Sequence, residues 1–314
     1  MNPERLKIVD VAVGVVQQSD GRVLLAERPP GKPWAGYWEF PGGKIEPGES
    51  ALQALSRELH EELGIEIDRA YPWITFNYAY PEKLVRLHFY RVHVWHGTPH
   101  GRETQRMSWE DPLAIGVQPL LPANESVLRA LNLPPVYAIT NAGKLGVDAF
   151  MDRLRAALKS GVRLIQVREP PMAPAQLAEF AQQVVTLAHA HGARVLVSGD
   201  RVVAQRAGAD GVHLPAEQLM MLSAPPDTGL WAASCHNAAE LARAAQLNAS
   251  FVVLSPVLPT PTHPEAAGMG WGRFAELIRD YPLPVYALGG MKLDHLDTAM
   301  QRGAHGIALL SGIW

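Results

Sequence analysis

Three glutamates, Glu58, Glu61 and Glu62, stand at i, i+3 and i+4 in the stretch Arg57-Glu58-Leu59-His60-Glu61-Glu62-Leu63-Gly64. On a helix that spacing puts three carboxylates on one face, where like charges repel. A bound divalent cation removes the conflict, and oxygen-only ligands favour Mg²⁺ or Mn²⁺ over zinc. Just upstream, Gly42-Gly43 leaves room for a backbone carbonyl to approach the same metal. Arg57 can pair with Glu49 and so tie the preceding loop to the helix.

The elements that must position these groups are legible around them. Residues 50–63 read as a helix, with Leu52, Leu55, Leu59 and Leu63 near the helical period and Gly64 as its stop. Residues 11–16 form a β-branched strand, and residues 22–26 a second one after the Asp20-Gly21 turn signal. Pro41-Gly42-Gly43 and Pro47-Gly48 bracket a tight loop. Strands follow around 65–80 and 84–95, and a last helix covers 124–131.

At Leu131-Asn132-Leu133-Pro134-Pro135 proline breaks any helix, so a domain boundary is placed there, with a first domain over 1–132 and a second over 136–314. In the second, apolar strand candidates fall at 136–140, 163–167, 194–198, 211–214, 231–234, 251–255, 285–288 and 306–310. Helical patterns lie between most of them. Eight strands in β-α alternation predict a parallel (β/α)8 barrel. It spans 179 residues (136–314), so its helices must be short, and the four residues after the last strand leave no full closing helix.

Composition narrows the function classes. A chain of 314 residues with 47% hydrophobic and 19% charged residues suits globular domains and not disorder. A net charge of -3 offers no basic surface to a nucleic acid polymer or an anionic membrane. The single cysteine, Cys235, excludes an internal disulfide and a cysteine-based metal cluster, and points to a reducing compartment. No apolar run approaches the ~18–20 residues of a membrane span, and no signal core fits the charged start. The expectation is a soluble, cytoplasmic protein.

The stretch from Gly43 through Ile65 resembles the Nudix box, with Gly43, Glu49, Arg57, Glu58, Glu61, Glu62 and Gly64 at its fixed positions. Residues 8–131 resemble the MutT branch in particular, which removes 8-oxo-dGTP from the nucleotide pool. Glu39-Phe40-Pro41-Gly42-Gly43-Lys44-Ile45-Glu46, Arg28, Gly101-Arg102-Glu103 and Leu121-Pro122-Ala123-Asn124-Glu125 carry that likeness. It implies an α/β/α Nudix sandwich that converts a nucleoside triphosphate to monophosphate and pyrophosphate. By the resemblance, the Gly42 carbonyl, Glu58, Glu61 and Glu62 hold Mg²⁺, with Mn²⁺ as a substitute. Glu58 or a neighbour activates water, and Glu103 adds a ligand or assists. Asn124 meets the oxidised purine edge, Phe40 the base, and Arg28 phosphate or base. Phe40 fits a core position equally well, Asn124 fits the N-cap of the last helix, and Trp34 and Trp38 fit packing better than base stacking.

Residues 136–314 resemble thiamine phosphate synthase and its thiazole tautomerase (TenI) relatives. The likeness rests on Gln166-Val167-Arg168-Glu169, Gly208-Ala209-Asp210-Gly211-Val212-His213-Leu214, Ser234-Cys235-His236, Pro259-Thr260-Pro261-Thr262, Leu288-Gly289-Gly290-Met291 and Leu310-Ser311-Gly312. The synthase pattern is broken, however. Pro170 and His263 replace its two lysines, Gly199-Asp200 stands for its Asn-Asp pair, and Pro215 and Gln218 replace a Gly and an Asp. Loss of those cations argues against stabilising a departing pyrophosphate. The resemblance implies a barrel ligand, such as a thiazole phosphate, near Gln166, Arg168, Thr260, Thr262, Gly289, Gly290 and Ser311. His236 is the implied proton carrier of a tautomerase. A satisfied histidine at a strand end fits it as well. Three functions therefore stand: a nucleotide-pool hydrolase, a hydrolase of thiamine-pathway pyrophosphates, and a barrel that is a tautomerase or a ligand-binding module without catalysis.

Overall fold

The computed structural model describes residues 8–81, 83–102, 105–259 and 268–314. The chain divides into two compact units at Asn132/Leu133, and the short segment Arg279–Pro282 groups with the first. No helix among the described residues is long and apolar enough to cross a membrane.

The first unit runs β1 (Ile8–Val16), β2 (Val23–Glu27), β3 (Trp38–Glu39), β4 (Gly42–Lys44), α1 (Ala51–Leu63), β5 (Glu66–Tyr80), β6 (Lys83–His96), β7 (Met107–Glu110) and α2 (Asn124–Leu131). One sheet has the order β4-β1-β6-β5 and a smaller one the order β3-β2-β7. Strand alternation in β1 shows why helices flank both faces. Ala12 and Val16 pack with Leu55, Leu59 and Leu63 of α1. Val13 and Val15 point the other way, into a cluster with Val127 and Leu128 of α2. The expected α/β/α sandwich follows from that alternation.

The helix carrying the carboxylates is well specified at both ends. Ser50 caps it, its side chain accepting from the Gln53 amide while the Gln53 side chain returns to the Ser50 amide. Gly64 ends it in the left-handed conformation, at φ 69°. The buried stripe is Ala54, Leu55, Leu59 and Leu63. Leu52, expected in that stripe, is instead 41% exposed in the first turn. The glycine stretch also departs from expectation. Gly42–Lys44 is not a loop but an edge strand, antiparallel to β1, with Val13 opposite Gly42 and Val11 opposite Lys44.

The second unit is a closed parallel barrel of eight strands. They are β8 (Val136–Ile139), β9 (Leu164–Val167), β10 (Arg194–Ser198), β11 (Gly211–Leu214), β12 (Leu230–Cys235), β13 (Phe251–Leu254), β14 (Val285–Ala287) and β15 (Gly306–Leu309). Tyr137, Leu164, Leu196, Ala232, Phe251, Tyr286 and Ala308 fill its interior, one strand after another. Several connecting helices are short, as expected: Arg201–Ala207, Ala216–Met221 and Leu296–Gln301. After β15 the Trp314 indole donates to the Ile139 carbonyl at 2.7 Å and packs edge-on against Phe150.

Candidate active site and barrel mouth

In the first unit the site is built from two pieces of chain, the Gly42-Gly43 strand and α1. A Cβ on Gly43 would fall 2.1 Å from the Glu58 carboxyl carbon, so the carboxylate lies directly over that glycine. Gly42 has φ 148° and is equally pressed, since a Cβ there would fall 2.2 Å from the Ala12 carbonyl oxygen. At Gly42 the pressing atoms are backbone, so the position needs glycine, whereas a side chain at Gly43 would have to push the Glu58 carboxylate aside.

Arg57 organises the acids. Its Nε donates to Glu49 Oε1 at 2.9 Å and its Nη2 to the Lys44 carbonyl at 3.1 Å, the tie between loop and helix that the sequence predicts. Its Nη1 reaches Glu58 at 2.8 Å and Glu61 at 3.3 Å. The Arg57 guanidinium, followed by the Glu46 amide, holds the Glu49 carboxyl below the usual carboxylate range. The repulsion read from the spacing is thus offset in part by Arg57, where the sequence suggested a cation alone. Among the described residues no group of three or more His, Cys, Asp or Glu side chains closes on one point. Glu58, Glu61 and Glu62 share one helix, but as placed they do not converge. The donor set still fits a hard divalent cation: carboxylate and peptide oxygens only, beside a cradle that a side chain at Gly43 would fill.

The substrate-side expectations fare differently. Arg28 does not reach outward. Its Nη1 lies 2.6 Å from both oxygens of Glu39, and its Nε donates to the Pro33 carbonyl at 2.8 Å. Burial raises the Glu39 carboxyl above its usual range against the pull of Arg28. Glu39 carries the likeness in sequence, but its pairing with Arg28 was not read, although an acid eleven residues from an arginine across a turn was visible. Phe40 is core: it is 3% exposed and meets Phe89 edge to face. Asn124 is not an N-cap. Ala123 holds that place, and Asn124 begins α2, 4% exposed, its amide donating to the Trp38 carbonyl at 3.3 Å. Trp38 is packed at 5% exposed, while Trp34 is 37% exposed and edge-on to Tyr37 and Tyr80. Glu103 lies outside the described residues.

In the barrel the expected residues cluster at the C-terminal ends of the strands. Gln166 is 3% exposed in β9, and Arg168 follows it at the surface. His236 follows β12, the fifth strand, and is exposed, with its Nδ1 2.9 Å from Glu240 Oε2. Gly289 and Gly290 have φ 100° and 65°, and a Cβ on either would press on the Pro256–Pro259 stretch. Close packing therefore already requires both glycines. Ser311 is exposed. Thr260, Thr262 and His263 lie outside the described residues. Cys235 is fully buried and its thiol is pushed up to about 12 by burial first, then by Glu240, as a packed and unreactive cysteine should be.

Two groups that carry the family likeness in sequence are given no role by it. The Glu169 carboxylate, 5% exposed, accepts from the Ala142 and Gly143 amides at 2.7 Å each, fixing the turn after β8. His213 is 2% exposed, between Tyr137 and Ser234, and burial with help from the Arg168 charge pushes it down to about 3. Its signal in sequence is a lone histidine in the apolar run Gly211–Leu214, within a stretch that carries the likeness.

Residues 8–131 match the family described as NUDIX domain, and residues 136–313 match the one described as Thiamine monophosphate synthase. The chain belongs to both families. Its first unit is 39% identical over 125 residues to the 8-oxo-dGTP diphosphatase of Haemophilus influenzae, 40% of this chain and 92% of that one. It is likewise 39% identical over 125 residues to the CTP pyrophosphohydrolase of Escherichia coli, 40% of this chain and 92% of that one. The second is 31% identical over 183 residues to the thiamine-phosphate synthase of Thioalkalivibrio sulfidiphilus, 57% of this chain and 87% of that one. The first unit is thus homologous to hydrolases that act on phosphoric anhydrides.

Proposed function

We propose that the first unit is a Mg²⁺-dependent pyrophosphohydrolase of nucleoside triphosphates, with 8-oxo-dGTP as its preferred substrate and cleansing of the nucleotide pool, a form of DNA repair, as its role. The observation that carries this is the acidic face of α1 held over Gly42-Gly43 by Arg57. Glu58, Glu61, Glu62 and the Gly42 carbonyl would hold the metal, with Glu103 as a further ligand. A divalent cation there supplies charge neutralisation on the phosphates and a lowered pKa for water. Glu58 takes the proton of the attacking water. The water oxygen bonds to phosphorus, the anhydride bond breaks, and pyrophosphate leaves with the electron pair. Arg57 holds Glu58 in place while Glu49 holds Arg57. Asn124, whose amide nitrogen is anchored on Trp38, offers its carbonyl oxygen to the base.

The test is product analysis with Mg²⁺ on 8-oxo-dGTP, dGTP, CTP, ADP-ribose and thiamine diphosphate. Preference for 8-oxo-dGTP with pyrophosphate release supports the proposal. Preference for thiamine diphosphate would mean that both units serve one pathway and would overturn it.

For the second unit a specific pair favours a separate reading: His236 held by Glu240 after the fifth strand. We infer that the barrel takes a phosphate-bearing ligand of the thiazole kind and that His236 moves protons on it. Pro170, in place of a lysine, speaks against synthase turnover. Loss of thiazole isomerisation in His236→Ala supports this reading. Synthase turnover by the intact chain refutes it.

A further inference from the structure

His236 stands between β12 and the helix Ala238–Gln246. Asn237 caps that helix, its side-chain oxygen accepting from the Glu240 amide at 3.0 Å. In an ordinary capping box the acid three residues on returns to the amide of the cap residue itself. Glu240 reaches one residue further back. Its Oε2 accepts from the His236 amide at 2.6 Å and lies 2.9 Å from His236 Nδ1. Its Oε1 accepts from the Asn237 side-chain amide at 2.9 Å. Three nitrogens of two neighbouring residues thus fix one carboxylate, and two of them belong to His236. The helix end gains nothing from the contact with the ring, since Asn237 already caps it.

That contact sets the chemistry of the imidazole. A carboxylate has no hydrogen to give, so the ring nitrogen facing it must be the donor. Nδ1 therefore carries the proton of the neutral ring, and Nε2 keeps its lone pair. Among the described residues nothing hydrogen-bonds Nε2. The Glu240 side chain is 16% exposed and that of His236 48%, so the anchor is sheltered while the ring it holds is open to a ligand.

We propose that Glu240 is a positioning residue that holds His236 with Nδ1 protonated, so that Nε2 is the atom that takes a proton from the barrel ligand and returns it. A C–H bond of the ligand breaks, its electron pair stays on the ligand, and an Nε2–H bond forms. Return of that proton to a different ligand atom completes an isomerisation with no change of oxidation level. The Glu240 charge stabilises the imidazolium that exists between the two transfers. The proposal rests on the reading of the barrel in which His236 moves protons.

Two measurements on the full chain test it. Nitrogen-15 spectra of the histidine rings, with the His236 signals identified by their loss in His236→Ala, should show Nδ1 protonated and Nε2 bare in the neutral ring. In Glu240→Ala the proton should shift toward Nε2, whereas Glu240→Gln, which keeps an oxygen facing Nδ1, should retain the wild-type pattern. Isomerisation of a thiazole phosphate should lose about 100-fold in kcat in Glu240→Ala with KM within about threefold, and Glu240→Gln should recover to within about tenfold of wild type. A bare Nδ1 in the wild type overturns the proposal, and that spectrum needs no variant. So does a Glu240→Ala protein with unchanged spectrum, or one that isomerises as fast as an active wild type. No isomerisation by the wild type overturns the barrel reading and the role of Nε2 with it, which separates the two failures.

Discussion

The two units assemble their polar groups by opposite routes. In the first, Glu58, Glu61 and Glu62 come from one helix, and Arg57 and Glu49 from the same short stretch. In the second, Tyr137, His213 and Ser234 come from three strands and meet only when the barrel closes. A site made within one helix survives as a spacing in the sequence. A site made by strand closure is spread over about a hundred residues, and its members look like ordinary core positions. The first also sits at the surface, with Glu61 58% exposed, whereas the second is sunk in the barrel.

Substitutions should break the contrast most sharply in the helical site. Glu62→Gln is expected to lower pyrophosphate release about 100-fold or more while leaving the melting temperature nearly unchanged. Retained turnover would remove Glu62 from the metal set. Gly43→Ala comes next. Its Cβ would displace the Glu58 carboxylate, so kcat should fall about 10- to 100-fold, and an unchanged kcat would show that Glu58 need not lie over the strand. Arg57→Ala should cost about 1 kcal/mol in urea unfolding, since the ion pairs it loses are partly exposed, and the cost should shrink at high salt.

Acid should sharpen the comparison from the other side. Burial pushes His213 down to about 3 and His93, in the first unit, to about 4. Unfolded, both take a proton near the ordinary histidine value of about 6.5. Between that value and the folded one the unfolded state binds more protons, so stability is present at neutral pH and falls on acidification. The slope reaches at most about 1.4 kcal/mol per pH unit per histidine. Denaturant melts from pH 7 to 5 should show the fall, and His213→Asn should flatten it for the barrel. A flat profile in the wild type would contradict the burial of both rings. The smallest expected effect is at Cys235: a thiol raised to about 12 should resist alkylation at pH 8 in the folded protein and react on unfolding.

Much of the architecture was legible because its signals are local. Ser50 with Gln53 and Gly64 mark the ends of α1, and short β-branched runs between turn residues mark the barrel strands. What was not legible depends on partners far along the chain. Gly42–Lys44 has turn composition, and only its pairing with β1 makes it a strand. Phe40 is claimed by Phe89, Arg28 by Glu39, and Asn124 by Trp38. No neighbour in sequence announces any of these contacts. His213 is the reverse case, a polar residue in an apolar run whose two partners lie 76 and 21 residues away.

The pairing of Gly42–Lys44 with β1 has a consequence for motion. A free glycine loop rearranges on the nanosecond scale and exchanges its amide hydrogens almost at once. A strand laddered onto the sheet that forms the unit's core cannot do so. The amides laddered to β1, such as that of Ile45 on the Asp10 carbonyl at 3.0 Å, exchange only when the sheet edge itself opens, which couples the floor of the site to the cooperative stability of the whole unit. The floor then behaves as a fixed reference, and any adaptation to a ligand's shape falls to other segments.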